Sequence, residues 1–335
     1  MRRGRKKRLA AICIFVVSIY ILLVWMFEFP SVAHIPSIRV WWDEEYSACK
    51  RHVAHQQSLP ENQRAPLYLS VSFSGRLGNW MYAYASLYGL AKRTGRKIYL
   101  QPENQVSGYF NIPKNMNVEP ICPEVLIEPR PAAYTPEFES LPHGVNVTIK
   151  GYMQSWKYFR KEYDADIKKQ YKLRDDIMEK GREALKKFKS KISRKFDLLI
   201  SVHIRRQDKL DWGAYLKGFR AAPVSYAKNA QNYMRQYFKD KAVQFLVMSD
   251  DYEWSSKHLK AEDTAVMEPN DKYVDLAVLT MCNHSIITVG TFGWWGAYLA
   301  GGHTVFFQDY AAKGSRFDQE TEREDFYLPQ WIGMS

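Results

Sequence analysis

Three short loops hold the residues best suited to chemistry. The run His203-Ile204-Arg205-Arg206-Gln207-Asp208 places two adjacent guanidiniums directly after the apolar stretch DLLISVHI, followed by an acid. Charges at the end of a buried strand cost heavily unless partnered, so either acids neutralise them or they bind an anion. Arginine suits a phosphate, because its fork makes two parallel hydrogen bonds. Neighbouring side chains in one short loop diverge. One arginine is therefore expected to reach a ligand and the other to pair internally, with Asp208 as the nearest acid. Taken singly, an arginine is more often a surface ion pair, and His203 more often a hydrogen-bonded core residue than a catalyst.

The second loop, Ser74-Gly75-Arg76-Leu77-Gly78-Asn79, follows the strand-like LYLSVSF and precedes a helix-like run. Its glycines allow close backbone approach and its free amides favour anions, although a plain tight turn explains the glycines equally well. Asn79 both donates and accepts, which suits a sugar hydroxyl. The third loop, Thr291-Phe292-Gly293-Trp294, opens a helix after a strand. That is an anion site by geometry, or simple capping. Trp294, Trp295 and Tyr298 read as core. Asp250-Asp251 and Asp275 are acids placed to meet ribose hydroxyls or a guanine edge. Asp164-Ala165-Asp166 has a spacing suited to a metal, but its charged setting, KEYDADIKKQ, reads as a solvated helical face.

The elements that must position these loops alternate. From residue 67 the order is strand, glycine loop, helix, then a strand in RKIYLQP. Residues 102–145 read as irregular, 145–154 as a strand, and 160–195 as one or two exposed helices. A second series starts at Phe196: strand, helix over 225–240 with Ser225 as N-cap, strand over 243–249, helix over 271–282, strand over 284–290, helix over 291–302, and a last strand over 303–308. Uniformly apolar strands alternating with helices predict parallel sheets covered on both faces, with ligands at the carboxyl ends of the strands. The expected fold is α/β: two Rossmann-like domains facing a cleft, an N-terminal one over 66–195 and a C-terminal one over 196–335.

The 335-residue chain begins with MRRGRKKR, then 19 uncharged residues, Leu9 to Phe27. That run is long enough to cross a bilayer and too long for the apolar stretch of a signal peptide. With the basic flank cytoplasmic, the sequence predicts a cytoplasmic tail (1–8), a transmembrane signal anchor (9–27), a loosely packed stem (28–65) and a luminal remainder. Of the net charge of +12, six positives lie in the tail, leaving +6. The basic cluster is a membrane flank, so nucleic-acid binding fits worst. Cys13 lies in the span. In an oxidising lumen Cys49, Cys122 and Cys282 allow at most one bridge, expected between Cys49 and Cys122, with Cys282 buried and free. Sequons begin at Asn146, between turn residues, and at Asn283, in an apolar region.

Six stretches in order, GRLGNWMYAYASLYGLA, GYMQSWKYF, HIRRQD, FLVMSDDYEW, DLAVLTMCNHSIITVGTFGWWGAYLAGG and YLPQWIG, resemble the galactoside alpha-1,2-fucosyltransferase family over about residues 67–333. HxRRxD is shared with alpha-1,6- and protein O-fucosyltransferases; joined to TFGWWGAYLAGG it is much more specific. Gln207 departs from the family's usual Gly, Trp80 from a common Gln, and Asp250-Asp251 vary. The resemblance implies a GT-B-like fold, GDP-fucose as donor, terminal galactosides as acceptors, inversion, no metal or other cofactor, and a Golgi membrane location. It implies that Arg205 meets the β-phosphate, with His203, Arg206, Asp275, Thr291, Phe292 and Gly293 on the donor side. It places Arg76, Gly78 and Asn79 toward fucose and acceptor. Asp208 is the first candidate for the base and Asp211 the second, though Asp208 serves equally as a clamp on Arg206. The rival readings are another GDP-fucose-dependent fucosyltransferase, of core or protein O-linked type, and a catalytically silent sugar-nucleotide-binding membrane protein.

Overall fold

The computed structural model describes residues 36–335 apart from 102–103, 105, 114–119 and 160–161, and only the backbone of 36–46 and 61. The expected tail, the anchor over 9–27 and Cys13 lie outside the described residues. Among the described residues no helix is long and apolar enough to cross a membrane. The chain divides into two units, residues 1–65 and 66–335.

The described part of the first unit is a helix, α1 (Pro36–Ser58), and a short turn. Within the segment expected to be a loosely packed stem, the chain is helical, and none of residues 47–60 is buried. Pro36 occupies the first helical position, where its missing N–H costs nothing, and no Pro or Gly follows until Pro60. Arg64 then folds back to donate to the carbonyls of Leu59 and Gln57 at 2.9 and 3.1 Å.

The second unit contains two parallel sheets. The first has the order β2-β1-β4-β3, from β1 (Tyr68–Val71), β2 (Lys97–Ile98), β3 (Glu124–Ile127) and β4 (Val147–Lys150). Helix α2 (Leu77–Arg93) follows β1 and is buried on nearly all sides. Strand β3 falls inside the region read as irregular. Its alternation is weak, because Glu124, Val125 and Ile127 are exposed on an edge. Helices α3 (Asp164–Gln170) and α4 (Asp175–Ser190) follow.

The second sheet has the order β10-β9-β8-β5-β6-β7, from β5 (Leu198–Ile204), β6 (Val243–Ser249), β7 (Thr264–Val266), β8 (His284–Ile287), β9 (Thr304–Phe307) and β10 (Ile332–Met334). Its helices are α5 (Trp212–Lys217), α6 (Val224–Tyr237), α7 (Tyr252–His258), α8 (Lys272–Thr280) and α9 (Thr291–Ala300), with the short α10 (Arg316–Gln319) and α11 (Arg323–Phe326) before β10. Thus 303–308 is not the last strand. Nor does Ser225 cap α6: Pro223 stands at that position, without a side-chain cap.

One aromatic core serves both sheets. Trp294 and Trp295 are fully buried and pack with Tyr82, Phe159 and Tyr298. Helix α4 turns Leu185 and Phe188 toward Leu199, Leu246 and Leu279 of the second half. In the opposite direction, the segment before β10 returns to the first half. Asp325 is buried and accepts from the amide of Tyr134 at 2.6 Å, and its carbonyl accepts from Ser155 at 3.0 Å. Helix α3 is anchored rather than simply solvated: the hydroxyls of Tyr298 and Tyr88 donate to Asp164 and Asp166 at 2.6 and 2.9 Å.

Cys49 and Cys122 are each disulfide-bonded, and Cys282 is a buried free thiol. Asn146 stands between the turn at residues 143–145 and the start of β4. Its carbonyl accepts from the Tyr68 amide and its NH2 donates to Ile121, at 2.9 and 2.7 Å. The Asn283 carbonyl accepts from the Leu199 amide at 2.9 Å, so that amide is tied to β5.

Candidate active site

The second sheet reverses its strand order once, between β5 and β8. Such a switch point leaves a crevice at the carboxyl ends of the strands. Here the strand ends of both sheets contribute to one cavity of about 840 Å³. The first sheet supplies residues 75–80 after β1, and Tyr152 and Gln154 after β4. The second supplies His203–Arg205 at the end of β5 and Val289–Phe292 after β8. This switch point is stitched shut: the Arg205 amide donates to the Thr288 hydroxyl at 2.9 Å, and the Thr288 amide to the His203 carbonyl at 3.1 Å.

The first turns of α2 and α9 meet at this cavity. A Cβ on Gly78 would fall within 2.7 Å of Thr291 and of the Phe292 amide nitrogen, so only a glycine allows the approach. Thr291 Oγ1 donates to Asn79 Oδ1 at 2.7 Å, and Trp295 Nε1 donates to the Gly78 carbonyl at 3.0 Å. Asn79 was expected to offer a ligand both a donor and an acceptor. Its carbonyl is already engaged by Thr291, which leaves the NH2. Before α9, Gly290 adopts φ 127°, and an added Cβ would lie 2.6 Å from Arg205 Nη1. The glycine lets that guanidinium lie across the helix start.

Arg205 is held by Asp208, through Nε to Oδ1 at 3.0 Å and through Nη2 to Oδ2. Arg76 Nη2 reaches the same carboxylate at 2.6 Å from the first sheet's loop. Burial alone would raise the Asp208 pKa, but the hydrogen bonds and charges of Arg205, with Lys209 and Arg76, pull it down to about 2. Asp208 is therefore a clamp between two guanidiniums and a weak base. Arg206, expected to pair with Asp208 or to face the donor, does neither. Its amide donates to Asp250 at 2.8 Å. Its side chain lies 3.5 Å from Asp251 and 4.1 Å above the Trp254 ring, outside the cavity lining. Asp211 caps α5, accepting from the amides of Gly213 and Ala214 at 2.8 and 3.3 Å.

His203 lines the cavity, but its Nδ1 is sealed from solvent and has no partner among the described residues. Burial, and then the Arg205 charge, lower its pKa to about 4, so the ring is neutral near pH 7. Gly293 packs under it; a Cβ there would lie 2.6 Å from Nδ1, and Gly293 itself is not exposed to the cavity. Asp275 lines the far side and accepts from Asn270 at 3.1 Å; burial raises its pKa. Among the described residues no group of three or more His, Cys, Asp or Glu is placed to hold a metal ion.

Several lining residues escaped the sequence reading. Tyr152 and Gln154 fall inside the 145–154 stretch read as a strand, but β4 ends at Lys150, so both stand in the loop after it. Tyr152 is set by Glu128, which is buried and accepts from the amides of Tyr152 (2.7 Å) and Met153 (3.0 Å), and the Gln154 amide donates to the Pro131 carbonyl at 3.0 Å. Met153 takes the strained φ of 54° between them. Lys209, Lys272 and Arg316 add positive charge to the lining. Arg316 comes from a distant segment with no local motif.

The chain matches glycosyl transferase family 11 over residues 38–335 and belongs to that family. It is 29% identical over 298 residues to a Bos taurus protein named galactoside 2-alpha-L-fucosyltransferase SEC1, covering 85% of this chain and 78% of the relative. It is also 29% identical over 280 residues to galactoside alpha-(1,2)-fucosyltransferase 1 of Saimiri boliviensis boliviensis, covering 78% of this chain and 73% of the relative. The resemblance read from HIRRQD and TFGWWGAYLAGG is thereby established. Among solved structures, an Arabidopsis thaliana FUT1 mutant in complex with GDP has 12% sequence identity and a TM-score of 0.49, covering 84% of this chain and 78% of that one.

Proposed function

We propose that the chain transfers L-fucose from GDP-fucose to the 2-hydroxyl of a terminal galactose on a glycan, forming an alpha-1,2 linkage with inversion and without a metal. The observation that carries this reading is the Asp208 carboxylate gripped by Arg205 and Arg76 at the mouth of two meeting helices, in a family 11 chain whose relatives bear that activity in their names. Attack by the galactose oxygen on the anomeric carbon breaks the bond to the diphosphate and leaves negative charge on GDP. Arg205, fixed by Asp208 and lying across the start of α9, stabilises that charge where it develops. The acid Asp275 supports recognition of the nucleoside side, and the NH2 of Asn79 supports contact with the sugar. Asp208, with its low pKa, suits positioning better than proton removal.

The two parallel sheets whose strand ends line one cavity support the finer description of a GT-B-like fold. The basic start and the apolar run over 9–27 support a single-pass type II anchor in the Golgi membrane, with the catalytic part luminal and both sequons on that side. The test is incubation with GDP-fucose and terminal β-galactosides, with and without EDTA, followed by linkage analysis. An alpha-1,2-linked product that persists in EDTA is expected. Another linkage selects the core or protein O-linked type, and GDP binding without turnover selects a silent binding protein.

A further inference from the structure

Lys209 is a buried cation with no anion of its own. It closes the short turn after Arg206, is 9% exposed, and lines the cavity. Its Nζ sits 3.7 Å from the centre of the Phe219 ring, itself part of the lining. Among the described residues its side chain makes no ion pair or hydrogen bond; the adjacent carboxylate, Asp208, is already occupied by Arg205 and Arg76. A largely buried ammonium without a counter-ion is costly. Its environment disfavours the charge: burial first, then Arg205, lowers its pKa to about 8, while Asp208 and Asp250 oppose this. Such an arrangement makes sense when the counter-ion arrives with a ligand. The aromatic ring holds the ammonium in place meanwhile, as a cation–π contact does.

We infer that Lys209 is a second diphosphate-binding residue, supplying a point charge to the leaving group beside the fork of Arg205. The inference rests on the reading of the cavity as a nucleoside-diphosphate-sugar site. Arg76 and Arg205 share the single carboxylate of Asp208 and Lys209 has no ion pair, so this end of the pocket carries an excess of positive charge that a diphosphate neutralises. Arg205 is already aligned and half-satisfied by Asp208, whereas Lys209 forms its first ionic contact only when the ligand binds.

The test is calorimetric titration of the full-length chain with GDP and, separately, with guanosine. Lys209→Met keeps length and apolar bulk. It is expected to weaken GDP by roughly tenfold or more, the size of a charged hydrogen bond, and to leave guanosine affinity unchanged. The melting temperature of the ligand-free variant should hold or rise, because an unpaired buried charge is gone. Lys209→Arg should retain most of the GDP affinity. GDP affinity unaltered in Lys209→Met, or equal losses for GDP and guanosine, overturns the inference. If the unmodified chain does not bind GDP, the reading of the cavity fails as well, so the two failures are distinguishable.

Discussion

The hydroxyl of Thr291 donates to Oδ1 of Asn79 at 2.7 Å, joining the first turns of α9 and α2 and thereby the two sheets. The contact exists because Gly78 presents no side chain to the Thr291–Phe292 backbone. Gly78→Ala is expected to push the helix starts apart, with a stability loss of about 1–3 kcal/mol for overpacking and a larger fall in transfer rate. Thr291→Val should cost about 1 kcal/mol, a typical single hydrogen bond. Thermal unfolding and steady-state rates measured on the same samples check both. Unchanged melting and turnover in Gly78→Ala would mean that the close approach is unnecessary.

Arg205 and Asp208 should separate in kinetics. Arg205→Lys replaces a fork with a point charge and is expected to cut turnover by roughly 10²-fold or more, as loss of a charge-stabilising group does, with little change in melting temperature. Asp208→Asn removes the clamp and leaves the cations. It should lower kcat while leaving GDP affinity unchanged or tighter. A strong loss of GDP binding in Asp208→Asn would contradict the clamp.

The pH dependence follows from the same groups. The folded Asp208 pKa, about 2, lies below its usual value, so the stability it contributes is present above the unfolded pKa and is lost only as pH falls toward 2. No acid limb in activity between pH 4 and 8 should arise from this residue. Glu128 has the opposite sign. Burial raises its pKa to about 8, against the opposing amide hydrogen bonds of Met153 and Tyr152. Its folded pKa exceeds the unfolded one, so its contribution declines as pH rises from about 4.5 toward 8. Neutral His203 opposes this below about 6.5. Between about pH 6.5 and 8, stability should therefore fall with rising pH, and Glu128→Gln should flatten that slope in denaturant titrations. An unaltered slope would place the carboxylate in its ionised form.

Lys209 predicts a basic limb in donor binding. Its folded pKa is about 8, with Arg205, Asp208, Arg76 and Asp250 as its charged neighbours. GDP affinity should drop as pH rises above about 8, and Lys209→Arg should move that drop to higher pH because a guanidinium stays protonated. Titration calorimetry at a series of pH values checks this; superimposable curves for the two proteins would remove Lys209 as the source.

The sequence exposed the strands and the loops that follow them, because strands buried on both faces form unbroken apolar runs. DLLISVHI, VQFLVMS and the start of HSIITVG are β5, β6 and β8, and their ends line the cavity. Partner choice was not legible. Arg205 and Arg206 look equivalent in HIRRQD, yet Asp208 takes the first and Asp251, 45 residues on, takes the second. Pairings set by tertiary packing leave no local mark. The same holds for Arg316, which enters the cavity from far along the chain. Strand β3 was hidden by its exposed edge residues, and α1 by the prolines and polar runs around it.

The return of the C-terminal segment also bears on the order in which the protein can be made. Asp325 holds the backbone at Tyr134, and Trp156 Nε1 donates to the Glu324 carbonyl at 3.0 Å. Residues 130–160 leave the ribosome long before these partners exist. These anchoring sites of the first half therefore stay open until Glu324 and Asp325 have emerged. A nascent chain halted after β9 would carry every residue of HIRRQD and TFGWWG and still lack one of the segments that tie its two halves together. That segment also brings Phe326 to the cavity lining, so a chain cut before it would leave the pocket incomplete.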